Sequence, residues 1–178
     1  MYYKTHYKSP IGEMLLASNE KRIIGLWIKE QKYINKTMPE KMIENNKLPI
    51  LKEGIAWLDD YFAGNKPDVS RLPIQPIGSE FRQCVWKILI QIPYGTLTSY
   101  GDIAKEVAKE MGKDSMSAQA VGGAVGHNPI SIIIPCHRVV GANGNLTGYA
   151  SGIDNKIKLL EQEGIDMTDL FMPEIRSI

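Results

Sequence analysis

Cys136 and His137 stand side by side directly after Pro135, at the end of the apolar run Ile132-Ile133-Ile134. A cysteine attacks as its thiolate, and a free thiol is only a few per cent ionised near neutrality, so a neighbouring imidazole is the base this chemistry calls for. Complete deprotonation gains at most a few tens of fold, roughly 2 kcal/mol, so placement and help to the leaving group must supply the rest. Adjacent residues leaving a strand point in different directions, so a turn or a bridging water has to close the gap between thiol and ring. The second ring nitrogen needs an orienting acceptor, and Glu163 near the end of the last helix is the candidate. Cys136, His137 and His127 lack the paired spacings of a tetrahedral zinc site, so no metal is expected.

The elements that must present this pair follow from periodicity and turn residues. Pro135 fixes its own φ and biases Ile134 toward extended geometry, so a buried strand over Ile130–Ile134 should stop there and offer Cys136 at a turn. Residues 2–7, 11–18 and 22–29 read as three strands of an antiparallel meander, separated by Ser9-Pro10-Ile11-Gly12 and Ser18-Asn19-Glu20-Lys21. Residues 30–47 read as a surface loop with a helical turn. Leu51, Ile55, Leu58 and Phe62 recur at helical spacing up to Gly64. Pro67 to Gly78 reads as an edge strand and a linker, which divides the chain into 1–75 and 79–170. Phe81, Val85, Ile88, Leu89 and Ile92 mark one face of the next helix, where Cys84 reads as a packing residue. Ser99 can cap a helix that buries Ile103, Ala104, Val107 and Ala108, and a second helix of very small residues runs from Ser117 to Gly126. Helix, Gly-bearing turn and helix outline a helix-turn-helix or a packed helical hairpin. Gly122, Gly123 and Gly126 each cost a helix roughly 1 kcal/mol relative to alanine, so a strand or a nucleic acid should approach that surface closely. A last helix covers Ile153 to Glu163. The fold class is mixed α/β (α+β).

Composition excludes several alternatives. The 178 residues are 43% hydrophobic, enough for a buried core, and no run approaches the roughly 18 apolar residues of a membrane span. With no signal-peptide pattern at its start and only two cysteines, the chain is expected in the cytoplasm with free thiols. Net charge is +1, so electrostatics alone would not propose a nucleic-acid partner.

Ile133-Ile134-Pro135-Cys136-His137-Arg138-Val139-Val140, preceded by Ala120-Val121-Gly122-Gly123-Ala124 and Asn128-Pro129 and followed by Thr147-Gly148-Tyr149, resembles the O6-alkylguanine-DNA alkyltransferases. These are also called methylated-DNA–protein-cysteine methyltransferases. The match is specific over residues 80–164, whereas residues 1–70 fit the family's ribonuclease-H-like domain in size and strand pattern. The resemblance implies a monomeric DNA repair protein, without cofactor, that flips O6-alkylguanine out of double-stranded DNA and moves the alkyl group onto Cys136, with O4-alkylthymine left open as a second lesion. It implies that a water links Cys136 to His137 and Glu163, that Asn128 supports the active-site turn, and that Tyr100 assists the departing guanine. It implies substrate or DNA contacts from Gln119, Ala120, Gly122, Gly123, Arg138, Val139, Tyr149, Ala150 and Ser151, with Lys156 steadying the region. A thioether on Cys136 resists water, so each molecule should act once.

Two departures stand out. Gln119 occupies the place where the family usually has an arginine, which predicts weaker DNA binding because the guanidinium's charge and stacking plane are lost. Ser151 replaces the first of two glycines common after Tyr149. Two other readings compete: an alkyltransferase-like lesion binder without chemistry, which the presence of Cys136 opposes, and a thiol hydrolase or redox sensor, which leaves the helix pair unexplained.

Overall fold

The computed structural model describes residues 1–172. The three strands form as expected, as β1 (Tyr3–Ser9), β2 (Gly12–Ser18) and β3 (Ile23–Ile28), in an antiparallel meander. The segment read as a loop holds its helical turn, α1 (Ile34–Thr37), and also a two-residue strand, β4 (Ile43–Glu44), parallel to β1, giving the sheet order β3-β2-β1-β4. Two residues are too short to leave a period-2 signature, which is why β4 escapes the sequence.

Every residue of β3 is buried. Its two faces serve different layers: Ile23, Leu26 and Ile28 join the main core, while Ile24 and Trp27 pack against Ile34, Met38 and Met42. Helix α2 (Pro49–Phe62) covers the main-core face, starting at a proline that suits the first turn. A Cβ added at Gly54 would come within 2.7 Å of Leu16, so glycine lets α2 approach β2 closely.

Pro67 to Gly78 makes no continuous edge strand. A 3₁₀ turn at Val69–Arg71 is followed by a single parallel bridge, in which the Ile23 and Gln75 amides donate to Pro73 and Ile23 carbonyls. Prolines at 73 and 76 remove the donors that a longer ladder would need.

The helical half consists of α3 (Glu80–Ile90), α4 (Tyr100–Glu110), α5 (Ala118–Gly126) and α6 (Ile153–Gln162). Serines cap three of them: Ser79, Ser99 and Ser117 accept from the amides of Arg82, Asp102 and Ala120. Each such cap contributes about 1 kcal/mol. The buried Trp86 indole on α3 donates to the Ala124 carbonyl on α5 at 2.9 Å, which fixes the small-residue helix in place. Cys84 is partly buried against the same core, in keeping with a packing role. Strands β5 (Thr98–Ser99) and β6 (Val139–Val140) pair in parallel beside the active segment.

The run Ile130–Ile134 is not a strand. Only Ile130 bridges, to Leu26 of β3; Ile132 then turns at φ 68°, and the Ile133 amide donates back to Ser131. The apolar content reflects complete burial, since Ile130, Ile133 and Ile134 have no exposed surface, and burial alone does not distinguish a strand from a buried turn. Among the described residues no helix is long and apolar enough to cross a membrane.

Candidate active site

Two consecutive tight turns deliver the thiol. Pro135 sits at φ −80° and ψ 62°, the geometry of an inverse γ-turn, and the Cys136 amide donates to the Ile134 carbonyl at 2.8 Å. Cys136–Arg138 then form a 3₁₀ turn. Asn128 clamps this bend from both sides: its side-chain amide donates to the Ile134 carbonyl at 2.8 Å, and its oxygen accepts from the Ile130 amide at 3.0 Å. A β-branched residue at positive φ such as Ile132 persists only where its surroundings over-determine it. The clamp of Asn128 and the pairing of Ile130 with β3 supply that constraint.

Cys136 is buried. Burial pushes its thiol up, against the opposing pull of a hydrogen bond from Asn128 and the charge of Lys156, so the resting sulfur is protonated and needs a base. His137 is wholly buried, and burial pulls its imidazole down despite the nearby Glu163 carboxylate, which keeps the ring neutral. Its Nε2 bonds Glu163. An ionised carboxylate only accepts, so Nε2 carries the hydrogen and Nδ1 keeps its lone pair. That Nδ1 is buried without a partner among the described residues. The ring is held edge-on between Tyr61 and Tyr149, with centroids 6.4 and 6.5 Å away.

Glu163 has more donors than the sequence suggests. Besides His137, its oxygens accept from Arg138 Nε at 2.7 Å, Arg138 Nη2 at 3.2 Å, the Tyr61 hydroxyl at 2.7 Å and the Gly95 amide at 3.0 Å. Burial raises its carboxyl, but His137 and Arg138 outweigh that and hold it well below the usual carboxylate range.

Beside this core lies a cavity of about 460 Å³ between α5 and the loop that follows β6. Gln119, Gly122, Gly123 and Gly126 of α5 line one wall, and Tyr100, Tyr149 and Ala150 the other. A Cβ would fit at Gly122 and Gly126 with contacts of 3.7–3.9 Å and would meet nothing at Gly123. Packing among the described residues therefore does not demand these glycines, and no strand of theirs lies against them. The Tyr100 hydroxyl donates to the carbonyls of Thr147 and Gly148, both at 3.2 Å, and burial pushes it up to about 12. Lys156 is fully buried, and its ammonium donates to the carbonyls of Val139 at 2.5 Å and Thr147 at 2.9 Å; desolvation pulls it down to about 8.

Comparison with known proteins now bears on this geometry. Residues 80–165 match the family model described as the 6-O-methylguanine DNA methyltransferase DNA-binding domain, and residues 1–76 match its ribonuclease-like domain. The chain belongs to this family. A methylated-DNA–protein-cysteine methyltransferase of Methanosarcina acetivorans is 42% identical over 92% of this chain and 99% of the relative. One of Methanosarcina barkeri is 46% identical over 92% and 97%. The crystal structure of Mycobacterium tuberculosis O6-methylguanine methyltransferase superposes with a TM-score of 0.76 at 39% identity, covering 92% and 93% of the two chains. A structure of the same organism's protein in complex with DNA superposes equally well, at 38% identity and 91% coverage of each chain.

Within this alkyltransferase fold, Cys136, His137, Glu163, Asn128, Lys156 and Val139 converge on one buried cluster, and Tyr100, Tyr149, Ala150, Gln119, Gly122 and Gly123 surround the cavity. Ala120 is exposed on α5, and the Ser151 hydroxyl is buried without a partner among the described residues. The Arg138 side chain is 8% exposed and bonds Glu163 and, at 2.7 Å, the Ile92 carbonyl, so it clamps the interior of the site. Tyr61 and the Gly95 amide were not legible at all. Tyr61 lies 102 positions from Glu163 and reads in sequence as one more packing residue of an amphipathic helix. No group of His, Cys, Asp and Glu suited to a metal occurs among the described residues.

Glu163→Gln should destabilise the protein by about 3–5 kcal/mol at pH 7, because Arg138 is left buried without its counter-charge. A carboxyl held low in the folded state adds stability that is complete above its unfolded value, roughly pH 4.3, and fades as the pH falls below it. Urea unfolding should therefore show the gap between wild type and variant narrowing as the pH drops from 5 toward 3. A gap that stays constant across that range contradicts the ionised Glu163.

Proposed function

We propose that this protein repairs O6-alkylguanine in double-stranded DNA by a single, stoichiometric alkyl transfer to Cys136, acting as a monomer. The observation that carries the reading is a buried thiol next to a neutral histidine tied to Glu163, beside a cavity walled by α5. A base inside a duplex is out of reach of such a thiol, so the nucleotide must swing out of the stack into the cavity, at a cost of a few kcal/mol. Helix α5, presented by α4 as the second helix of a helix-turn-helix, enters the groove, and its glycines let the DNA backbone approach. Gln119 faces the cavity and fills the space the base leaves.

The thiol proton passes to His137 Nδ1, directly or through one water, while Glu163 holds the imidazolium that results. The sulfur attacks the alkyl carbon; a carbon–sulfur bond forms as the carbon–O6 bond breaks, and the electron pair departs on the guanine. Tyr100 already lies at the cavity wall, where its hydroxyl can exchange a loop carbonyl for the guanine and stabilise the leaving group, a role worth about 10²–10⁴-fold. Lys156 holds the Val139 and Thr147 carbonyls, and so the two sides of the loop bearing Tyr149, Ala150 and Ser151. The product is a thioether, which water does not cleave, so Cys136 is used once and needs no cofactor to react. The chain divides between 75 and 79 into a sheet domain and this transfer domain. Two free cysteines, one of which must stay reduced to act, suit a cytoplasmic setting.

Incubation with a duplex carrying one isotopically labelled O6-methylguanine should add a single methyl group to the intact protein, mapped to Cys136 by peptide mass. Cys136→Ala should carry none, and label transfer that survives in this variant contradicts the proposal; lesion binding without any transfer by wild type would favour a non-catalytic role. Gln119→Arg should tighten binding to the lesion duplex and speed repair on the order of tenfold, as a charged donor replaces a neutral one. Equal affinities for the two proteins would show that this position does not limit binding.

A further inference from the structure

The recognition helix is short of charge. Helix α5 carries no charged side chain, and residues 99–127 hold three positive against four negative ones. Duplex DNA is bound largely through cations set against its phosphates, so an alkyltransferase with this helix needs positive charge from elsewhere. The sheet domain places some beside it. Past the end of β3 the chain leaves the sheet as a strap, residues 29–36, which carries Lys29, Lys32 and Lys36 and one acid, Glu30.

The strap is fastened to the transfer domain at three points. The buried Gln31 side chain accepts from the Ile28 amide at 2.8 Å and from the Ser131 hydroxyl at 3.4 Å, next to the active-site turn. The Lys32 amide donates to the Ala150 carbonyl of the cavity loop at 2.8 Å. The Tyr33 ring stacks on His127 at the end of α5, with centroids 3.9 Å apart and planes 19° from parallel. To reach that stack Tyr33 adopts φ 63°, a conformation that side-chain-bearing residues rarely hold. Lys32 and Tyr33 thereby share the cavity wall with Gln119, Gly122 and Gly126. The Lys36 ammonium lies 5.6 Å from the Tyr33 ring centre, and Tyr33 remains 42% exposed.

We infer that the strap is a second DNA-contacting element, in which Lys32 and Lys36 meet phosphates flanking the extruded nucleotide while Tyr33 completes the wall of the pocket. The inference rests on the alkyltransferase reading and adds to it a partner surface from the sheet domain. Its occupant is the backbone of the lesion duplex, because Lys32 lines the same cavity as α5 and Lys36 stands over the Tyr33 ring in its wall. A neutral ligand of the cavity would have no use for these two cations.

The test is the salt dependence of duplex binding by the full-length protein, read as fluorescence anisotropy of a labelled O6-methylguanine duplex between 50 and 200 mM salt. Lys32→Ala with Lys36→Ala should make the log–log slope shallower by about two and weaken low-salt binding on the order of tenfold or more. Arginine at both positions should restore the wild-type slope. Lys21→Ala is the control for net charge: Lys21 sits in the β2–β3 turn, at the far end of the six residues of β3, about 20 Å from the strap. An unchanged slope in the double alanine variant, or an equal loss per lysine in Lys21→Ala, overturns the inference. Methyl transfer is scored on the same samples: a wild type that binds but never transfers sinks the alkyltransferase reading, and the slopes still decide whether the strap touches DNA.

Discussion

Everything near the reactive thiol depends on one buried carboxylate. Glu163 gathers donors from four residues in three parts of the chain: Tyr61 from α2, the Gly95 amide after α3, and His137 and Arg138 from the active turn. A carboxylate out of water is costly unless it is saturated with donors and countered by charge, and this one has both. The saturation has a chemical consequence. Because Glu163 can only accept, it dictates which nitrogen of His137 carries the hydrogen and leaves the other as a base.

The sheet domain is part of the same construction. Tyr61 ties α2 to Glu163, β3 pairs with residues 129–131, and the strap bonds Ser131 and Ala150. These contacts hold the strained turn at Ile132 and so set where Cys136 emerges. The transfer chemistry belongs to the helical half, but the turn that carries it leans on the other. Burial near the thiol is nearly complete, and the cavity opens beside the buried cluster with Tyr149 between them.

How much of this could be read from residues alone depends on range. The meander, the amphipathic helices and the serine caps are local features, and their signals are local as well. Cys136, His137 and Glu163 stood out by chemistry and by the motif that surrounds Pro135. The run Ile130–Ile134 misled because total burial and β-branching resemble a core strand, whereas the backbone makes tight turns pinned by Asn128. The buried pairing of Arg138 leaves no local mark, since its partner is a carboxylate 25 residues away. Tyr61, Gly95, Lys32 and Tyr33 carry no local mark, since their meaning comes only from contacts across the two halves.

The central claim, that an ionised Glu163 holds His137 as a neutral base, is open to one direct measurement. Nitrogen-15 NMR of the histidine side chains in the unreacted protein near pH 7 distinguishes the three protonation states of the ring. The account predicts His137 with a protonated Nε2 and an unprotonated Nδ1. A hydrogen on Nδ1, whether in the other neutral tautomer or in a doubly protonated imidazolium, would contradict it.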